Sequence, residues 1–341
     1  MNNLDLQKEY SDINSMFMAR IELTTRCNWR CKHCYIDNYN EYGLKKEEIF
    51  CILDKMRDFG VYAVEFTGGE IFTRPDLLEI IGYARKNKFY VSLMSNLSLL
   101  TDEIITQLDE MAVEGISTTL FSMSDEINDR ITGSKNSASI IINNLKKLSK
   151  TKLSVEVKTI LMKENIDEYH EIQHFCEKYG FDYLVTEGLF PTNDGSNVPR
   201  NLAVTCEQLR ENLLELDINR YGSIYKKQKN ANDPICTEIK YSMSITADGE
   251  CYPCNLLHKK LGNIRDYNYD VSLVWNHDFL EKLRNKTWKD LKKCFSCDKN
   301  EYCVRCTGIV DTINGDMFQD DPFSCRTANI RRLLDLNNNH M

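Results

Sequence analysis

Between Phe17 and Leu216 the sequence alternates short β-rich runs with longer segments whose apolar residues recur at helical spacing. The strand candidates are residues 17–25, 61–66, 89–95, 115–122, 153–161 and 183–188. Helical candidates between them include 45–58, 76–86, 102–112, 139–149 and 167–178. Such an alternation implies a parallel sheet, because parallel neighbours are joined by crossovers long enough to hold a helix. The right-handed sense of those crossovers curls the sheet into a barrel or most of one. In a barrel of this kind the chemistry gathers beyond the C-terminal ends of the strands.

The unusual residues sit at those ends. The first strand candidate leads into Cys27-Asn-Trp-Arg-Cys31-Lys-His-Cys34, three cysteines spaced Cx3Cx2C. Three thiolates folded toward one point leave a fourth corner unfilled. A closed structural zinc site wants four ligands, whereas an iron-sulfur cluster with one free iron suits three. A coincidental cluster, or a zinc site borrowing a distant ligand, is the competing reading. The second strand candidate stops at Thr67-Gly68-Gly69-Glu70, with Pro75 opening the next helical segment. A Gly-Gly pair there lets the backbone approach a ligand closely, and the Glu70 carboxylate is placed to accept from an ammonium group.

In order and at this distance, the two motifs resemble those of the radical S-adenosylmethionine (radical SAM) enzymes. The resemblance implies a partial (β/α)6 TIM-like barrel and a [4Fe-4S] cluster on Cys27, Cys31 and Cys34. The cluster's unique iron would chelate the amino and carboxylate groups of S-adenosyl-L-methionine, with Gly68, Gly69 and Glu70 fixing the amino group. It also implies roles for Ser95, Asn96 and Ser122 against the sugar and methionine parts of that cofactor, and for His33 near its adenine. Read by themselves, Ser and Asn at strand ends are commonly turn formers, and His33 could be an exposed loop histidine.

Fourteen cysteines is a high count. The polar stretch Met1 to Asp12 lacks a signal-peptide core and no apolar run approaches the length of a membrane span. We therefore expect a cytoplasmic protein whose clustered cysteines bind metal rather than form disulfides. The net charge of -8 argues against general nucleic-acid binding. Cys51, Cys176 and Cys206 stand apart and read as small packed side chains.

The remaining cysteines divide the chain. Residues 226–233 are polar and aperiodic, which predicts a linker and a boundary near residue 225. The expected domains are a barrel with a short N-terminal extension over 1–225, and a small cysteine-rich domain with a C-terminal tail over 226–341. Alternating runs about Asp248-Gly249 predict a β-hairpin in the latter, with Cys254 on its second strand, followed by short helices. The trailing cysteines are Cys236, Cys251, Cys254, Cys294, Cys297, Cys303, Cys306 and Cys325. On their own, the CxxC pairs also support a pair of zinc ribbons.

Their order resembles the SPASM extension of radical SAM proteins, which binds auxiliary [4Fe-4S] clusters. The resemblance implies two of them: Cys294, Cys297, Cys303 and Cys325 on one, and Cys236, Cys254 and Cys306 on the other. Two departures stand out. The last two cysteines of the central four are separated by two residues where three are usual. Ser242 occupies the position where relatives with a fully ligated first auxiliary cluster carry another cysteine. Cys251 is an available substitute, although alternation beside Cys254 suggests that it points elsewhere; otherwise one iron stays open, and such an iron could bind a substrate thiolate.

The resemblance implies reductive cleavage of S-adenosylmethionine to a 5'-deoxyadenosyl radical and hydrogen abstraction from a substrate carbon. The segment 121–133 is similar to that of SPASM enzymes maturing ribosomally made peptides, which implies a precursor peptide as substrate and a thioether (C-S) or C-C crosslink as product. We expect a flavodoxin or ferredoxin reductant. Only about sixteen residues precede the first strand, so we also expect either a separate leader-binding protein or direct recognition by the barrel mouth. Sulfatase-maturase-like oxidation of a protein side chain and small-alcohol dehydrogenation are the alternatives. Asn255 stands where sulfatase-maturing relatives carry an aspartate base, and an amide takes no proton at neutral pH. A non-enzymatic iron-sulfur or zinc-binding protein would need no S-adenosylmethionine. Glu187, at the sixth strand end, is the candidate general base.

Overall fold

The computed structural model describes residues 3–40 and 43–338; the first two residues and the last three of the expected domain ranges lie outside them. A helix α1 (Asn3–Asp12) precedes the first strand. Six parallel strands follow: β1 (Met18–Thr24), β2 (Ala63–Gly68), β3 (Tyr90–Met94), β4 (Gly115–Thr119), β5 (Ser154–Ile160) and β6 (Asp182–Thr186). All six lie where the alternation of the sequence places them. The crossovers hold α2 (Lys46–Phe59), α3 (Leu77–Lys86), α4 (Asp102–Glu110), α5 (Asp125–Thr132), α6 (Ser137–Leu148) and α7 (Tyr169–Tyr179), and α8 (Cys206–Tyr221) follows β6. This is the α/β partial barrel expected.

Side-chain alternation divides each strand into two faces. Ile21, Leu23, Val64, Phe66, Val91, Leu93 and Val157 are buried beneath the helices, against Ile49, Ile52, Leu53 and Met56 of α2 and their counterparts on α3, α4 and α6. Removing a wholly buried leucine such as Leu53 would cost about 2–5 kcal/mol. The opposite face is polar. Arg20 pairs with Glu65, Ser117 Oγ donates to Glu156 Oε2 at 2.9 Å, and Lys158 Nζ lies 2.9 Å from the same oxygen. A polar interior open at the strand ends makes a binding site rather than a filled core.

The C-terminal strands β7 (Ser242–Ile245), β8 (Glu250–Tyr252) and β9 (Gly262–Asn263) carry the expected hairpin. Their placement was not legible locally. β7 runs parallel to β1 with Met18 opposite Ser242, so one nine-stranded sheet runs β6-β5-β4-β3-β2-β1-β7-β8-β9. The cysteine-rich part therefore continues the barrel sheet across residue 225. Cys254 lies two residues beyond β8, in an isolated bridge with Leu257. The segment read as a linker is tied down as well: Tyr225 N donates to Asp217 Oδ2 at 2.9 Å and Lys227 N to Glu301 O at 2.7 Å. Among the described residues no helix is long and apolar enough to cross a membrane.

Candidate active site

Beyond β1 the chain enters the cysteine loop with a register shift between Glu22 and Thr24, which re-aims the strand end. Cys27, Cys31 and Cys34 line one cavity of about 190 Å³ together with Gly68, Gly69, Ser95 and Asn96. Burial raises the pKa of Cys31, and the neighbouring Cys34 and Cys27 act in the same direction. Among the described residues no three ligating side chains are already drawn to coordination distance. What the thiols share is a neighbourhood around one cavity.

The glycines are needed for loop-to-loop contact. A Cβ on Gly68, whose φ is +139°, would stand 2.2 Å from Thr24 O, and one on Gly69 would stand 2.3 Å from Arg26 O. Gly69 N and Glu70 N donate to those two carbonyls, each at 2.8 Å. The Gly-Gly pair thus presses the β2 end against the cysteine loop and also lines the cavity.

Glu70 behaves differently from the reading of its motif. It is wholly buried, and its carboxylate accepts from Phe72 N (3.0 Å), Ser95 Oγ (2.8 Å) and Asn96 N (2.7 Å). Burial raises its pKa to about 7 in spite of those donors. The carboxylate is committed to its own chain: it fastens the Ser95-Asn96 loop to the Gly-Gly loop and is not among the residues lining the cavity. Asn96 reaches the cysteine loop in turn, with Nδ2 3.0 Å from Asn28 Oδ1 and 3.9 Å from Cys27 Sγ.

His33 lines the cavity with its ring edge-on to Phe121, centroids 4.7 Å apart. Its Nδ1 is buried without a partner, and burial lowers its pKa to about 4, so the ring is neutral. An unfilled acceptor or donor at the cavity wall suits an uncharged heterocycle. Ser122 is not brought there; its buried hydroxyl donates to Glu168 Oε2 at 2.6 Å and accepts from Ser124 N. Instead the wall takes Ser117 and Thr119 from β4, Lys158 from β5 and Tyr35 from the cysteine loop, none of them singled out in the sequence. The alternation of Ser117 with Thr119 was the signal that could have found two of them.

A second group forms where β8 ends. Burial raises Cys254 to about 12, with Cys236 and Cys306 pushing the same way. Backbone amides aim at each thiol: those of Ile239 and Glu238 at Cys236, that of Leu256 at Cys254, and those of Ile309 and Gly308 at Cys306. Gly308 permits the approach, since a Cβ there would lie 2.4 Å from Leu256 O. Cys251 stays apart, wholly buried on the other side of β8 in the main core. Ser242 is buried with its Oγ donating to Glu238 Oε1 at 2.8 Å. The third group joins Cys303 to Cys325 and Cys294, and Cys325 to Cys294 and Cys297.

Glu187 lies outside the cavity of the cysteine loop, in a separate pocket with Oε1 3.6 Å from Arg331 Nη2. A less expected carboxyl stands nearer. Glu22, on β1, is 8% exposed; burial raises its pKa to about 7, and Tyr35 Oη lies 3.4 Å from its Oε1.

A polar-lined partial barrel with three thiols around a cavity at its strand ends, and two further thiol groups, offers the ligand set that an iron-sulfur enzyme requires. The profile of the Radical SAM superfamily matches residues 21–176 and that of SPASM, an iron-sulfur cluster-binding domain, matches residues 236–298. The chain thus carries a radical SAM domain followed by a SPASM iron-sulfur cluster-binding domain, and is a radical SAM enzyme with S-adenosyl-L-methionine and [4Fe-4S] clusters as cofactors. It is 28% identical to the antilisterial bacteriocin subtilosin biosynthesis protein AlbA of Bacillus subtilis, over 84% of this chain and 66% of AlbA. It is 24% identical to an AdoMet-dependent heme synthase of Methanosarcina barkeri, over 89% of this chain and 94% of that one. In fold it is similar to Streptococcus suis SuiB bound to precursor peptide SuiA, with a TM-score of 0.71 at 17% identity, covering 94% of this chain and 78% of SuiB. It is likewise similar to anSMEcpe bound to AdoMet and the Cp18Cys peptide, with a TM-score of 0.69 at 14% identity, covering 95% and 99%.

Proposed function

We propose that this enzyme modifies a ribosomally made precursor peptide, installing a C-S or C-C crosslink. The observation that carries the reading is the nearness of two cysteine groups, joined through one residue. Tyr35 borders both the cysteine-loop cavity and a narrow cleft whose other walls include Asn193, Asn255 and Ile309. That cleft, of about 10 Å³ and so with room for about one water, passes the helix that begins beside Cys306, so side chains about Tyr35 stand between the first cysteine group and the second. AlbA and the SuiB complex with SuiA are named for peptide work, which accords with this reading.

In it, Cys27, Cys31 and Cys34 hold the radical SAM cluster. Gly68, Gly69, Ser95, Asn96 and His33 line the S-adenosylmethionine site, while Glu70 and Ser122 brace its loops. Cys236, Cys254 and Cys306 hold one auxiliary cluster and Cys294, Cys297, Cys303 and Cys325 the other. Bound there, cluster and cofactor supply one-electron cleavage of a sulfonium bond and abstraction of a hydrogen atom from carbon. The chain's own task is to exclude water and fix the substrate carbon, for which Phe121, Thr119 and Lys158 supply the walls. Asn255 Oδ1 accepts from Arg20 Nη1 at 3.0 Å, so no carboxylate base stands at that point, contrary to a sulfatase-maturing mechanism.

The test is anaerobic incubation of reconstituted enzyme with reductant, S-adenosylmethionine and short peptides encoded beside its gene. Loss of two hydrogens from one peptide, with a new crosslink in its fragmentation spectrum, is the expected result. Cofactor cleavage coupled only to oxidation of an added alcohol would replace this reading.

A further inference from the structure

Where β6 ends, a second cavity of about 200 Å³ opens between the barrel and the C-terminal helix Pro322–Asn338. Five arginines line it, Arg200, Arg220, Arg305, Arg326 and Arg331, against two carboxylates, Glu187 and Asp321. Arg331 is held from behind by Asp217 in a two-pronged pair of 2.7 and 2.8 Å, and Arg200 is paired to Asp321 at 2.8 Å. Arg220, Arg305 and Arg326 make no ion pair among the described residues, and of these Arg305 already donates through Nη1 to Thr307 Oγ1 and through Nη2 to Met317 O and Gln319 O. The Nε atoms of Arg200, Arg305 and Arg326 are buried without a hydrogen-bond partner, and Arg200 is itself only 6% exposed. Arg200 and Arg326 both lie over the Phe323 ring, at 4.1 and 4.9 Å, which holds their planes in place.

Unsatisfied buried guanidinium N–H groups in a surplus of positive charge call for an acceptor, and planar forks match a two-oxygen acceptor best. The cavity shares Ile309 with the narrow cleft, which shares Tyr35 with the cysteine-loop cavity. Cys306 also lines the arginine cavity, so a ligand here lies against the second cysteine group. We infer that this arginine pocket binds a carboxylate of the substrate, and, resting on the peptide reading above, that this is an acidic side chain or the C-terminal carboxylate of the peptide. Arg305 also acts on Cys294, Cys303 and Cys306. Balancing the charge of the cysteine groups is thus the rival role that the test must separate.

The test uses the anaerobically reconstituted full chain and fluorescence anisotropy of dye-labelled Gly-Glu-Glu-Gly, amidated at its C-terminus, beside Gly-Gln-Gln-Gly amidated and with a free C-terminus. At low salt one of the carboxylate-bearing peptides should bind about tenfold tighter than the neutral one, with glutarate competing. Arg220→Gln and Arg326→Gln should each erase most of that difference while iron content holds. Measurable but equal binding of charged and neutral peptides, or a difference that survives both substitutions, overturns the inference. So does a pair of variants that shifts only the cluster EPR signals, and so does inorganic phosphate displacing the probe better than glutarate. Arginine-dependent binding of glutarate with no peptide bound keeps the carboxylate pocket and removes the peptide reading instead.

Discussion

The two three-cysteine groups reach a similar arrangement by opposite routes. Cys27, Cys31 and Cys34 come from one loop of eight residues, and their cavity is left open by glycines pressed against the neighbouring loop. Cys236, Cys254 and Cys306 come from three separate segments, and each thiol is met by backbone amides. A contiguous loop concentrates its information in spacing, which is why the first group can be read from sequence. The second depends on β7 finding the edge of β1, a pairing between residues more than two hundred positions apart. It also shows how amides can favour a charged thiolate in a site whose burial opposes it.

The sharpest way to break the comparison is to empty each group in turn. Changing Cys27, Cys31 and Cys34 to Ala should lower iron from roughly twelve to roughly eight per chain and abolish cofactor cleavage. The matching triple change at Cys236, Cys254 and Cys306 should remove a similar amount of iron yet leave substrate-free cleavage of S-adenosylmethionine measurable. Iron and sulfide analysis with detection of 5'-deoxyadenosine checks both. If the second triple also abolishes cleavage, the two groups are not independent.

Single methyl groups give a smaller effect with the same logic. Gly69→Ala drives a Cβ onto Arg26 O and Gly308→Ala drives one onto Leu256 O, both backbone atoms that cannot swing aside. Overpacking of this kind typically costs about 1–3 kcal/mol. Gly69→Ala should weaken S-adenosylmethionine binding about tenfold or more in equilibrium dialysis, with the auxiliary EPR signals unchanged. Gly308→Ala should do the reverse, sparing cofactor binding while altering those signals.

A subtler change asks what Ser242 replaces. Ser242→Cys places a thiol beside Glu238, which acts on both Cys236 and Cys254. If this position completes the second group, an added small thiol should perturb the auxiliary EPR spectrum of the parent and leave that of the variant unmoved. Equal perturbation in both would place the open corner elsewhere.

How much of this could be read in advance follows from how local each signal is. The six strands announce themselves by composition and by the helices between them, and the Cx3Cx2C and Gly-Gly motifs by spacing. Glu70 shows the limit: its motif suggests a ligand-facing acid, but its partners are donors on Phe72, Ser95 and Asn96, two of them more than twenty positions away. Ser122 repeats the lesson with Glu168. The helix α5, within a segment read only for its motif, was missed because eight residues barely show a period. Lys158 was missed because a lysine alternating with a glutamate on a strand reads as a solvated edge, whereas here both face the barrel interior.

The gentlest prediction concerns the carboxyl lodged between the two groups. Glu22 faces Tyr35 of the cysteine loop on one side and Ala247 and Asp248 of the hairpin on the other. Burial lifts its pKa from 4.5 to about 7, so between those values the native chain holds a proton that the unfolded chain has released. The stability contributed by this group is thus fully present below pH 4.5 and is lost as the pH rises through 7. The loss is on the order of 3 kcal/mol at most, at about 1.4 kcal/mol per pKa unit. Glu22→Gln keeps the shape and removes the titration, so its Tm should fall less than that of the parent from pH 5 to pH 7.5. Glu70, raised to a similar value, supplies a slope common to both proteins. Parallel Tm profiles would mean that Glu22 is ionised in the folded chain, stabilised by Tyr35 and the hairpin amides, and that the seam between the groups is wetter than its burial implies.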